Sequence, residues 1–273
     1  MNLAELVKKY IIIGYSQIDA ESKVCQDIIL IKISKSPFYS NVTIKGGVVM
    51  HNISDDKRRA TKDLDIDFIR YSLSNASINE FISKLNLLND GIMLYIVKDI
   101  VELKQQDYHG KRVYIKLNDN FGNELSTKLD IGVHNNFDIE QDEYCFELNA
   151  IKESATLLIN SKEQIFVEKI KSLLKLGSVS TRYKDILDFY FLINTGDINK
   201  EKLIKYFQIM IFDDINMFEN NINDVYNTLE NILKKKRYLK NFNTVKNNWL
   251  EIPIMKVIDN ILNFIQQLEL ISV

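Results

Sequence analysis

The run Asp63-Leu64-Asp65-Ile66-Asp67-Phe68-Ile69 constrains this chain more than any other feature. Acid and apolar residues alternate with a period of two, the repeat of a β-strand whose successive side chains point to opposite faces. Three carboxylates therefore share one face, and Leu64, Ile66 and Phe68 share the other. The apolar face asks for a core, so the strand belongs in a sheet. The acidic face is unfavourable by itself, because Asp is depleted in strands. Carboxylates about 7 Å apart along a strand repel one another unless a cation lies between them. A divalent ion turns that repulsion into binding, and magnesium prefers oxygen ligands while keeping waters for substrate phosphates. An acidic, solvent-facing strand without a metal is the plainer alternative.

The flanking segments add context. Residues 42–44, Val-Thr-Ile, read as a short strand leading into Lys45-Gly46-Gly47 and a helix over 48–53. Glycines let a phosphate approach the backbone, and free N–H groups at a helix N-terminus favour negative charge. Taken alone, Gly-Gly signals only a turn. Downstream, Lys128-Leu129-Asp130-Ile131-Gly132-Val133 is a second strand-like run with one acid, which can bring a further carboxylate beside the first set.

Periodicity supplies the remaining elements. Apolar spacing predicts one or two helices in 1–35, ended by Pro37, and another helix over 78–88. Strands are expected at 92–103, 112–117 and 125–133, with a turn over 119–123. From about residue 150 the pattern becomes helical, at 161–176, 181–194, 200–212, 221–236 and 252–269, punctuated by Gly177, Gly196 and Pro253. The expected organisation is a mixed α/β domain over 1–150 with N-terminal helices, then a helical domain over 151–273.

Composition excludes some classes. With 46% apolar and 26% charged residues, the chain is an ordinary folded protein. A net charge of −2 means that any nucleic-acid contact must come from a local patch. Two such patches exist. Residues 45–62 carry net +3 from Lys45, Lys57, Arg58, Arg59 and Lys62 against Asp55 and Asp56. Residues 162–184 carry net +4 from four other lysines, Arg182 and Lys184, less two acids. The Lys234-Lys235-Lys236-Arg237 run reads first as a helix end, with an RNA backbone contact as the alternative. Cys25 and Cys145 are isolated and read as buried free thiols. His51, His109 and His134 show no ligand spacing. Neither a signal peptide nor a bilayer-length apolar stretch occurs, so a cytoplasmic protein with no membrane partner is expected.

The order strand, Gly-Gly, helix, D-x-D strand and acid-bearing strand resembles the polymerase-β-like nucleotidyltransferase superfamily. The stretch Arg59-Ala60-Thr61-Lys62-Asp63-Leu64-Asp65 narrows the resemblance to the AbiEii/AbiGii toxin family, whose signature is R-x-T-x-D-[IL]-D. Glu168-Lys169-Ile170-Lys171-Ser172-Leu173 and Arg182-Tyr183-Lys184-Asp185-Ile186-Leu187-Asp188 are similar to two further segments of that family. Two positions depart from it. A third acid, Asp67, extends the D-x-D pair, so Asp63/Asp65 and Asp65/Asp67 both qualify; Val48 stands where the family often has Thr.

The resemblance implies an α+β fold: a polymerase-β-like mixed sheet core with flanking helices, followed by a C-terminal helical domain. It also implies a toxin of an abortive-infection toxin–antitoxin system, moving a nucleoside monophosphate from a nucleoside triphosphate to an RNA (tRNA-like) or protein hydroxyl. On that pattern Asp63, Asp65, Asp67 and Asp130 hold two magnesium ions, and Lys45, Gly46, Gly47, Arg59, Thr61 and Arg182 contact the nucleotide. Lys169 neutralises the triphosphate, with Asp185 or Asp188 orienting it. A cognate antitoxin protein is the implied partner. A non-catalytic nucleotide binder and an antibiotic-modifying enzyme of the same fold remain the alternatives.

Overall fold

The computed structural model describes residues 1–103, 110–195, 198–243 and 248–270. His109 and Gly196 lie outside the described residues. The chain divides into two compact units, Met1–Asn160 and Ser161–Val273.

The first unit opens with α1 (Leu3–Ile12) and α2 (Gln17–Ser34). Asn2 and Ser16 cap them, each side chain accepting from a backbone N–H in the first turn. Ser36 and Pro37 follow the end of α2, as the helix-breaking role of proline predicts. Then come β1 (Val42–Lys45), α3 (Gly46–Ser54), β2 (Leu64–Ile69), α4 (Asn75–Asn86), β3 (Ile92–Ile96), β4 (Val101–Leu103), β5 (Gly110–Asp119), β6 (Glu124–His134), β7 (Gln141–Leu148) and β8 (Glu153–Asn160). These eight strands form one mixed sheet in the order β3-β5-β6-β2-β1-β8-β7, with β4 also on β5. The stretch expected as a single strand over 92–103 is two strands, both antiparallel to β5, interrupted at Lys98-Asp99. Strands β7 and β8 were not expected.

Strand β2 is central. It runs antiparallel to β1 and parallel to β6. Leu64, Ile66 and Phe68 are fully buried. Phe68 meets Phe81 of α4 edge-on at 5.2 Å between centroids, and Phe81 meets Phe38 at 5.2 Å. Burying each such side chain contributes about 1.5–3 kcal/mol. The apolar half of the alternating run thus anchors the strand, leaving its acidic half on the opposite face.

The second unit is helical: α5 (Lys162–Leu176), α6 (Tyr183–Asn194), α7 (Lys200–Phe207), α8 (Ile222–Leu233), α9 (Lys236–Asn243) and α10 (Ile254–Glu269). Ser161, Asn199 and Asn221 cap α5, α7 and α8 through their side chains. The helix expected to reach residue 212 is α-helical only to Phe207 and continues as a π-turn, Gln208–Phe212. Phe166, Phe189 and Phe264 meet in its core. Helix α9 was not foreseen. It starts inside the basic run, where Lys234 caps α8 and pairs with Glu230 at 2.8 Å. Among the described residues, no helix is long and apolar enough to cross a membrane. Cys25 is buried, but Cys145, on the edge strand β7, is exposed, correcting the expectation of two buried thiols.

Candidate active site

Strand register assembles a polar row on one face of the sheet. Asp65 lies directly abreast of Asp130 on the neighbouring parallel strand, and Asp67 abreast of Gly132. Across β1, Lys45 faces Asp65 and Thr43 faces Asp67. Across β5, Arg112 faces Asp130. Paired residues on adjacent strands project to the same side, so Lys45, Asp65, Asp67, Asp130 and Arg112 share one surface. Asp63 precedes β2 with the same parity, and its charge helps hold the Arg112 guanidinium in its protonated form.

The acids differ in depth. Asp67 is 3% exposed and pairs with Lys45 at 2.6 Å. Gly132 makes room for it, since a Cβ there would collide with Asp67 Oδ1. Asp63 and Asp65 are half-buried. Asp130 is buried, and both its oxygens accept from Arg112: Nε to Oδ1 and Nη2 to Oδ2, each at 2.7 Å. That fork, ahead of the simple charge attraction, pushes the Arg112 pKa up.

The Gly-Gly turn closes on this row. Gly46 has φ +66°, a region that favours glycine. A Cβ on Gly46 would stand 2.6 Å from Asp65 Oδ2, and one on Gly47 would stand 2.6 Å from Thr61 Oγ1. The start of α3, with its free N–H groups, therefore touches both the second acid of the run and the threonine two residues before the first. Gln26 of α2 fixes that threonine, donating from Nε2 to the Thr61 carbonyl at 2.8 Å. Arg59 is buried at 3% exposure. His134, on β6, is pushed toward its neutral form by burial.

In the second unit, Lys169 of α5 pairs with Asp185 and, at 3.0 Å, with Asp188 of α6. Asp188 is fully buried. Arg182 is largely exposed, its guanidinium 4.0 Å from Asp185. The α5 and α6 motifs singled out in the sequence thus meet each other.

Sequence reasoning missed Arg112 and Gly132. Arg112 was legible in principle. The turn over 119–123 sets the β5–β6 register, with Asn118 opposite Glu124, and stepping six residues back along it reaches Arg112 opposite Asp130. A cavity of about 750 Å³ lies elsewhere in the first unit, bordered by Tyr10, Tyr15, Lys23, His51 and Tyr144; none of the acidic row lines it.

Carboxylate oxygens in register on adjacent strands are the donor type that magnesium prefers, and the Asp65 carboxylate packs against Gly46 where a Cβ would not fit. The donor set fits a divalent cation in chemistry and backbone placement. Two side chains of the row, Asp130 and Asp67, are held by Arg112 and Lys45, and among the described residues no three acidic, histidine or cysteine groups converge as a metal cluster.

A mixed sheet whose central strand carries the D-x-D run, with a third acid alongside and a Gly-Gly helix start against it, is the arrangement expected of a nucleotidyltransferase-type core. Residues 28–240, over three-quarters of the chain, match the family described as "Nucleotidyl transferase AbiEii toxin, Type IV TA system", and the chain belongs to that family. No curated protein matches it.

Proposed function

We propose that the chain is a magnesium-dependent nucleotidyltransferase, the toxin of a toxin–antitoxin pair, which transfers a nucleoside monophosphate to a hydroxyl of RNA or protein. The observation that carries this reading is Asp65 abreast of Asp130, with the Gly46-Gly47 helix start against Asp65 and Thr61. The acceptor oxygen bonds to the α-phosphorus, the bond from that phosphorus to pyrophosphate breaks, and the acceptor proton leaves through Asp130. Asp63, Asp65 and Asp130 are the proposed cation ligands. Bound magnesium would supply charge neutralisation on the phosphoryl oxygens. Asp67 is set apart from them: it is the deepest acid of the run and is held by Lys45. Its proposed part is to place Lys45, whose exposed edge then meets a phosphate. Gly46 and Gly47 offer N–H groups to phosphate, as helix N-termini do. Thr61 offers its hydroxyl to the same anion. Arg59, buried as it is, acts by holding the segment that carries Thr61. In the second unit, Lys169, held by Asp185 and Asp188, and Arg182 are proposed as that unit's own phosphate-binding cations.

The test is incubation of the protein with each labelled nucleoside triphosphate, magnesium and either total RNA or candidate proteins. Label should move to one acceptor class and disappear with Asp65→Ala. Absence of transfer with every nucleotide and acceptor, for the wild type as for D65A, would sink the enzymatic reading. The cations already seated on Asp67 and Asp130 favour a second reading, a nucleotide binder without turnover. Calorimetry separates the two: tight triphosphate binding with no transfer would favour the binder.

A further inference from the structure

Arg112 stands outside every motif that pointed to the site, yet it makes the most complete contact in it. We propose that Arg112 is a displaceable counter-ion of Asp130: it holds that carboxylate while no metal is bound and must leave before Asp130 can take a cation. The proposal rests on the reading of Asp130 as a cation ligand.

Three observations carry it. First, the fork engages both Asp130 oxygens at 2.7 Å, so a cation reaching this carboxylate meets a guanidinium already seated there. Second, the pair is sealed on one side only. The Asp130 side chain is 9% exposed and that of Arg112 is 30% exposed, so the arginine has water to swing into while the acid does not. Third, Arg112 is placed by strand register rather than by a flexible loop, directly opposite Asp130 in the β5–β6 ladder. The contact is therefore built into the hairpin. The nearby Asp63 charge gives the guanidinium a second attraction on the same surface. Arginine also suits bidentate contact with phosphate, so an arriving triphosphate offers the released side chain a new partner. Binding of nucleotide and of the second cation would then be coupled through one side chain, and such coupling is reciprocal.

The experiment is Mn²⁺ binding, read from the free-ion electron paramagnetic resonance signal, on the full chain without nucleotide at low ionic strength. Wild type, Arg112→Gln, Arg112→Lys, Asp130→Asn and the R112Q/D130N double variant are compared. Loss of charge-assisted hydrogen bonds to a ligand carboxylate should tighten one Mn²⁺ site roughly tenfold in R112Q. R112K keeps the charge but lacks the fork, and should fall between R112Q and wild type. The double variant should bind as D130N does, because the effect acts through Asp130. A merely structural loss weakens binding, so tightening is the diagnostic direction. If D130N weakens binding but neither R112Q nor R112K tightens it, the counter-ion proposal is overturned and the metal reading survives. If R112Q and the R112Q/D130N double variant bind Mn²⁺ equally, Asp130 is no ligand, and both readings fall together.

Discussion

Two of the ion pairs that bury an acid against a cation in the first unit, Lys23–Asp27 and Arg112–Asp130, differ in construction. In α2, Asp27 is fully buried; Lys23, one turn earlier, contacts it at 2.5 Å, and the Tyr10 hydroxyl donates to its other oxygen. Both Asp27 and Lys23 side chains are sealed, at 0% and 8% exposure. Burial pushes the Asp27 pKa up, and Lys23 and Tyr10 oppose that. In the sheet, Asp130 is held as firmly by Arg112, but the arginine reaches water. The chemistry is the same and the exit is not. A pair with both members nearly excluded from solvent resists exchange, so it serves the fold. A pair with one solvated member can exchange it, so it is free to serve a reaction.

The comparison breaks first at the sheet. Asp65→Asn should lower nucleotide transfer by at least about a hundredfold while leaving the urea unfolding midpoint close to wild type. A D65N protein that transfers normally would remove the acidic row from the chemistry. The second effect lies in α2. Lys23→Met leaves a buried carboxylate without its cation and should cost about 3–5 kcal/mol of stability, measured by urea unfolding. Replacing both members, K23M with D27L, should recover much of that loss, because an apolar pair of similar volume tolerates burial. A double variant as unstable as K23M would mean that the ion pair, rather than its completeness, holds the helix.

The sequence made the acidic strand legible because one pattern carried two messages, an apolar face for the core and an acidic face for the site. The Gly-Gly turn and the Arg59–Asp65 segment were legible because glycine spacing and the signature fall within one short stretch, and the structure brings Gly46 to Asp65 and Gly47 to Thr61. Strand β7 was harder to see. It is an edge strand, and only Phe146 and Leu148 of its eight residues are buried, too few to set a period of two. Strand β8 ends one residue before the cap of α5, so its apolar residues merge with the helical pattern that follows. Helix α9, eight residues long, was masked by the basic run at its start. The release path of Arg112 is a matter of exposure, which register alone does not report.

A smaller effect is expected at the junction of β1 and α3. Gly46→Ala places a side chain in a left-handed conformation, which costs about 1–2 kcal/mol. It also sets a methyl group 2.6 Å from Asp65 Oδ2. Transfer should therefore fall by more than stability alone predicts, in assays on protein kept well below its melting temperature. Equal losses in both would mean that the turn shapes the fold without addressing Asp65.

The smallest effect concerns α3, which starts at the acidic row and carries His51 near the α2 pair. His51 is 4% exposed, and its Nε2 shares a 2.9 Å hydrogen bond with the Tyr15 hydroxyl. Burial, with help from Lys23 and Arg59 and against Asp19 and Asp56, lowers its pKa from 6.5 to about 3. The folded protein therefore holds His51 neutral where the unfolded chain protonates it. Between pH 6.5 and about 3 the unfolded state binds the extra proton, so this group's contribution to stability is full above 6.5 and declines as pH falls. Asp27 acts in the opposite sense, since its raised pKa favours the folded state at low pH and that advantage is lost as pH rises through it. Comparing wild type with His51→Gln cancels the Asp27 contribution. The wild type should lose stability relative to H51Q as the buffer goes from about pH 7 to about pH 4, while transfer at neutral pH stays unchanged. A stability difference that does not vary with pH would show that His51 takes up its proton in the folded state as readily as in the unfolded chain. The α2 end of α3 would then be as open to water as the arginine in the sheet, and the contrast between the two buried pairs would narrow.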